Sequence, residues 1–423
     1  MKSIKSKLIS YLPFYILTHI YKIQYIRYIN KLYHDIDPNK KTVLAINHFY
    51  DQDYEACSIS AINHNFVVVN GPVLFKFAKY FFSKRVIELL IKYPSDNNKG
   101  LQQWKKISDD IFDRLDKKFN FDFIVTPSDS FYWIREFIKK GNESKISIIL
   151  DKEGTISPFD FEKEAKKLSS FAPVLAKNIF VWSNRQKAYW EKIGAESSSI
   201  VVLGQPRSDL FYKKEANSLK NYFKEDLPLI VFFSYHDDAY INPIRNLNKK
   251  DPYSWVDMKS SSHEILSRMS KKYSDKFNFV IKTHPQQIDL TSLQKKYNSD
   301  NLKVIGGSSI SNELIQKSRL IIGFQTTIII EALYLNKNVI YTYWSDSIKD
   351  LENDLLPFHK ASCIKIAREV EKFESMLDDF LHEPVDFYFG VDEVLKKDGF
   401  VEEYIFQPDG NCCNRFFKYI DNL

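Results

Sequence analysis

The stretch Ile146-Ser147-Ile148-Ile149-Leu150-Asp151-Lys152-Glu153-Gly154-Thr155 decides how the chain is read. Its first half is an apolar, β-branched run without alternation, which marks a strand buried on both faces of a parallel sheet. Its second half puts carboxylates and a glycine at that strand's carboxyl end, where open α/β sheets receive ligands. Upstream, Thr42–Ile46, Phe66–Val69 and Phe123–Val125 have the same character, and downstream Ile179–Trp182 and Ile200–Leu203 repeat it. A second series follows at Leu229–Phe233, Phe279–Ile281, Lys303–Ile305, Leu320–Ile322 and Asn338–Tyr341. Helical periodicity fills the gaps over Lys99–Phe119, Glu162–Ala176, Ser262–Tyr273 and Ile328–Leu335. Strand and helix in alternation predict α/β architecture: two Rossmann-like halves with parallel sheets facing a central cleft.

The two series divide the chain into domains. Residues 1–215 form the first and 216–385 the second. Residues 386–423 are a tail packing back on the first domain. The lysine-rich segment from Lys213 to Asp226 reads as the linker. With 423 residues, 44% of them hydrophobic and 27% charged, the chain has enough apolar mass for both cores. Its net charge of +6 is dispersed, which argues against a nucleic-acid partner and suits small anionic substrates or an anionic lipid surface. Cys57, Cys363, Cys412 and Cys413 lack the spacing of a zinc site or disulfide framework, so a reducing, cytoplasmic compartment is expected. No metal and no bound cofactor are expected. The segment Leu8–Tyr21, preceded by Lys2, Lys5 and Lys7, is too short to span a bilayer and lacks a cleavage site. It is either a peripheral contact with the inner face of the membrane or a core helix.

Four constellations carry candidate chemistry. Asp151 and Glu153 fall on one side of an extended strand end, with Lys152 opposite; either carboxylate suits proton removal from an attacking hydroxyl, and a plain solvated turn is the alternative. In Gly204-Gln205-Pro206-Arg207-Ser208-Asp209, Arg207 sits in a rigid turn, where it either holds a phosphate or clamps a carboxylate. In Lys282-Thr283-His284-Pro285, a cation and an imidazole follow a strand, as a departing phosphate requires. In Gly323-Phe324-Gln325-Thr326-Thr327, two hydroxyls precede a helix carrying Glu331; they serve as an anion site, as helix caps, or as both. Glu331 is one turn in, at the reach of a donor ribose. His48, Asp51, Asp53 and Gly154 are acceptor-side candidates. His236-Asp237-Asp238 lines the opening of the second half.

Taken in order, the acidic-acidic-Gly strand end, the Gly-x-Pro-Arg-x-Asp turn and the His-Pro pair resemble those of GT-B-fold bacterial surface-carbohydrate enzymes. The pattern is similar in part to CMP-sugar sialyl- and Kdo-transferases, and to teichoic-acid glycerophosphotransferases. The ending Phe406–Asn411 with Arg415 resembles the Asp-Gly tail of the surface-carbohydrate group. The resemblance covers roughly residues 146–345 and that tail. It implies a metal-independent glycosyltransferase acting on a surface glycan or lipid-linked glycan, with the first domain receiving the acceptor and the second the nucleotide-linked donor. Its donor would be a CMP-linked acidic sugar first and a UDP-sugar second. It also implies Glu153 or Asp151 as base, His284 on the donor phosphate, and Lys282, Pro285, Thr326 and Thr327 around it. Lys152 departs from the sialyltransferase pattern, where an acidic residue would stand. The rivals are transfer of glycerol phosphate from CDP-glycerol and a non-catalytic carbohydrate-binding or scaffolding subunit.

Overall fold

The computed structural model describes residues 14–32, 34–47, 52–82, 99–151, 161–162, 165–166, 173–213, 219, 222–223, 226–241, 243–285, 287–307, 310–388 and 390–423. Side chains are described from residue 22 onward within these, save 213, 243 and 244. His48, Asp51, Lys152, Glu153 and Gly154 lie outside the described residues, as do residues 8–13 of Leu8–Tyr21, the rest of which lies in the helix Phe14–Lys31.

Two compact units make up the chain. The first comprises residues 1–154, 163–207 and 411–423, the second 155–162 and 208–410. Each holds one parallel, six-stranded sheet. In the first unit the strands are β1 (Thr42–Ile46), β2 (Asn65–Val69), β3 (Phe123–Thr126), β4 (Ile146–Leu150), β5 (Asn178–Val181) and β6 (Ile200–Val202). Their spatial order is β2-β1-β3-β4-β5-β6. β1 and β3 are buried at every position, as unalternating apolar runs require. The helix Lys99–Phe119 turns Leu101, Trp104, Ile107, Ile111, Phe112 and Leu115 inward, a three-and-four spacing that makes one apolar stripe. Helix Asn184–Ile193 begins at Ser183, whose Oγ accepts from the Gln186 N–H at 3.3 Å, and ends at Gly194 with φ 111°.

The second unit contains β7 (Leu229–Phe233), β8 (Asn278–Lys282), β9 (Leu302–Ile305), β10 (Ser318–Gly323), β11 (Asn338–Thr342) and β12 (Lys365–Ala367). Their order is β12-β11-β10-β7-β8-β9. This is the doubly wound arrangement in which the chain starts centrally, builds outward to one side, and returns to build the other. The reversal falls between β7 and β10, so the loops after those two strands diverge and leave a crevice at their carboxyl ends. Gly323, Phe233 and Lys282 are register partners across β10, β7 and β8, so their loops leave the sheet side by side.

Two expectations need correction. Over 162–176 the described residues are helical only at 162 and 165–166, and 173–176 is irregular from Pro173 onward. The short strand β12 was not foreseen, because Lys365-Ile366-Ala367 is too brief and too exposed at its start to carry a pattern.

Candidate functional site at the carboxyl edge of the second sheet

The sheet order singles out the ends of β7, β8 and β10, and the groups there are cationic or hydrogen-bonding. Lys282 is the last residue of β8 and only 3% exposed. Its Nζ donates to the Thr283 carbonyl at 2.7 Å, and no carboxylate among the described residues pairs with it. Burial alone pushes its ammonium down to about 8. The His284 ring lies 6.1 Å from that of His236, which follows β7. Burial first, then the neighbouring His236 ring and the Lys282 ammonium, push His284 down to about 4, so the imidazole is neutral at pH 7. Pro285 follows it, exposed. One buried positive charge, paired with no carboxylate among the described residues and set beside two imidazoles, suits an anion.

The floor of this edge is a polar network. Ser234 Oγ lies 3.0 Å from His263 Nε2 and accepts from Gln287 Nε2 at 3.3 Å. Gln287 Oε1 accepts from the His284 backbone N–H at 2.6 Å. Lys259 bridges the two loops, 2.5 Å from Asp237 and 3.3 Å from Asp289. Asp237, a cleft candidate from the sequence, is thus ion-paired.

After β10, Gln325 adopts φ 49°, a left-handed conformation that is uncommon without glycine. Its buried amide compensates: Nε2 donates to Tyr341 Oη at 2.6 Å and to the Leu356 carbonyl at 3.0 Å, while Oε1 accepts from the Leu356 N–H at 2.7 Å. This clamp aims the Thr326–Thr327 turn. Thr326 Oγ1 accepts from the Ile328 N–H at 3.4 Å, whereas Thr327, at the cap of helix Ile328–Tyr334, makes no side-chain cap bond. Glu331 is buried within that helix.

In the first unit the other candidates are distributed differently. Asp151 directly follows β4, with its Oδ2 accepting from Trp190 Nε1 at 2.6 Å. Arg207 and Asp53 come together, 154 residues apart. The Arg207 N–H donates to Asp53 Oδ1 at 3.0 Å, Nη1 is 3.5 Å from Oδ2, and the guanidinium stacks 4.5 Å over Trp182. Both partners are buried. Arg415, on the helix Cys412–Asp421, donates from Nε to the Leu203 carbonyl at 2.9 Å, holding the start of the same turn. Cys57 and Cys413 lie buried with sulfurs 4.0 Å apart, unbonded.

Sequence reasoning missed His263, Ser234, Gln287, Gln325 and Asp129. The last is buried after β3, its carboxylate accepting from Leu175 and Ala176 N–H at 2.5 and 3.2 Å; burial raises its pKa. The available signal was position: Ser234 and Asp129 both follow buried strands.

No family model and no curated protein matches the chain at the level of sequence. Solved structures do resemble it in fold. Staphylococcus aureus MnaA in complex with UDP shares 14% identity at a TM-score of 0.52, over 90% of this chain and 97% of that one. UDP-GlcNAc 2-epimerase from Neisseria meningitidis, bound to UDP-GlcNAc, shares 14% at 0.51, over 91% and 100%. A variant of the wall teichoic acid polymerase TagF soaked with CDPG shares 9% at 0.55, over 97% and 98%. The architecture is therefore the α/β, two-domain, GT-B-like fold.

Proposed function

We propose that this chain is a glycosyltransferase that takes a sugar from a nucleotide-activated donor and places it on a bacterial surface glycan. The observation carrying this reading is Lys282, a buried cation that no carboxylate among the described residues pairs with, at the carboxyl edge of a doubly wound sheet. A donor phosphate would supply the missing charge, and its growing negative charge in the transition state would meet Lys282 and the imidazoles of His284 and His236. Pro285 would restrict the loop, Thr326 and Thr327 would add hydroxyls, and Glu331 would approach the ribose. Asp151 or Glu153 would take the acceptor's proton. Arg207, tied to Asp53 and Trp182, acts here as a clamp on its turn. The fold likeness to proteins in complex with UDP, UDP-GlcNAc and CDPG supports a pyrimidine nucleotide, CMP- or UDP-linked.

Glycerol phosphate transfer is the second reading, favoured by the likeness to TagF over 97% of the chain. The same cations would then serve attack at phosphorus, and the product linkage separates the two. The first test is thermal unfolding against CMP, CDP, UDP, GDP and their sugars. Binding to the native state raises the midpoint. The expected result is a shift with one pyrimidine nucleotide that His284→Ala removes. A well-folded protein that responds to none would overturn the reading.

A further inference from the structure

The His284 loop is held by a chain of hydrogen bonds whose directions can be deduced. The His284 backbone N–H can only donate, so the atom of Gln287 facing it at 2.6 Å is the carbonyl oxygen. Gln287 Nε2 therefore faces Ser234 Oγ, at 3.3 Å, and donates to it; it also reaches Asp289 Oδ1 at 3.4 Å. Ser234 Oγ, accepting from Gln287, has its own proton to give, and His263 Nε2 stands 3.0 Å away. If the chain of donors continues from Ser234 to Nε2, the ring's own proton is on Nδ1. Its ring is 1% exposed, edge-on to Phe232 and Tyr297, with centroids 5.3 and 5.7 Å away. That apolar casing keeps it neutral, with its pKa pushed down to about 3.

We infer that His263, acting through Ser234 and Gln287, is the positioning residue that fixes the His284 loop against β7 for anion binding. This rests on the proposed phosphate role of His284. Helix Val256–Lys272 supplies His263, β7 leads into Ser234, and β8 into the His284 loop, so one buried relay ties three elements at the edge where a phosphate would sit. His263, Ser234 and Gln287 are each at least nine-tenths buried, so water does not readily replace a lost partner, and a break leaves a desolvated group behind. The relay differs from ordinary packing in that it depends on an acceptor at position 263, not on ring volume.

The test compares His263→Gln, which keeps an acceptor, with His263→Leu, which does not, and with Ser234→Ala, the small change that breaks the same chain. Three readouts apply: the 15N tautomer of His263 in the wild type, hydrogen exchange of the His284 amide, and the affinity for UDP and CMP. The relay requires the Nδ1–H tautomer. In His263→Leu and Ser234→Ala it requires faster exchange at His284 and about tenfold weaker nucleotide binding. His263→Gln should remain within about threefold of wild type. An Nε2–H tautomer, or His263→Leu matching wild type in exchange and affinity, would overturn it. If the wild type binds neither nucleotide, the proposed function fails, while tautomer and amide exchange still decide the relay.

Discussion

Replacing Lys282 by methionine should make the protein more stable and at the same time unable to bind its donor. Met keeps the length of the stem and removes the charge. The ammonium's value of about 8 in the fold, against 10.5 outside it, corresponds to about 3 kcal/mol, at roughly 1.4 kcal/mol per tenfold change in proton affinity. The sign follows from proton binding. Between pH 8 and 10.5 the unfolded chain holds the proton and the folded one does not, so wild-type stability rises through that window. Below pH 8 the whole cost is present. Loss of the 2.7 Å bond to the Thr283 carbonyl returns about 1 kcal/mol. Lys282→Met should therefore exceed wild type by about 2 kcal/mol at pH 7, and the gain should vanish above pH 10. Urea unfolding followed by circular dichroism at pH 7 and pH 10 measures the difference, in which other titrating groups cancel. A variant less stable than wild type at pH 7 would show that Lys282 serves the fold, and would refute the idea of a cation held for a ligand.

Three further outcomes follow from the same geometry. His284 and His263 resist protonation down to about pH 4 and 3, so stability should fall as pH drops below 6.5, and His284→Asn should flatten this acid limb in a thermal scan. Asp53→Ala removes a buried carboxylate that pairs with the Arg207 guanidinium, which should cost about 3 kcal/mol in urea unfolding; a change under about 1 kcal/mol would mean that the pair is incidental. At Gln325, glycine should be less damaging than alanine by about 1 kcal/mol, since both lose the clamp on Leu356 but only alanine keeps the left-handed strain.

Much of the architecture was legible because parallel strands advertise themselves. Leu229–Phe233 and Ile146–Leu150 match the expected runs residue for residue, since burial on both faces leaves no charged position to blur the ends. Helix Lys99–Phe119 was equally plain from its apolar stripe. What escaped depends on neighbours distant in sequence. Nothing near Arg207 announces that Asp53 is a carboxylate partner, because the two stand 154 residues apart and the fold alone brings them together. His263 sits in a helix that the sequence pattern marks only from Ser262, although it begins at Val256, and its place in the relay depends on Ser234, 29 residues upstream. Gln325 looked like an ordinary member of a turn; only the backbone reveals the left-handed conformation that its amide stabilises.

The central claim is that the ends of β7, β8 and β10 hold the phosphate of a nucleotide-activated donor. Calorimetric titration of the wild type and of Lys282→Met with UDP, CMP and their sugars tests it most directly. The account requires that one of these ligands bind the wild type and that the stabilised variant lose at least tenfold in affinity. Equal binding by the two proteins, or none by a fully folded wild type, would contradict it.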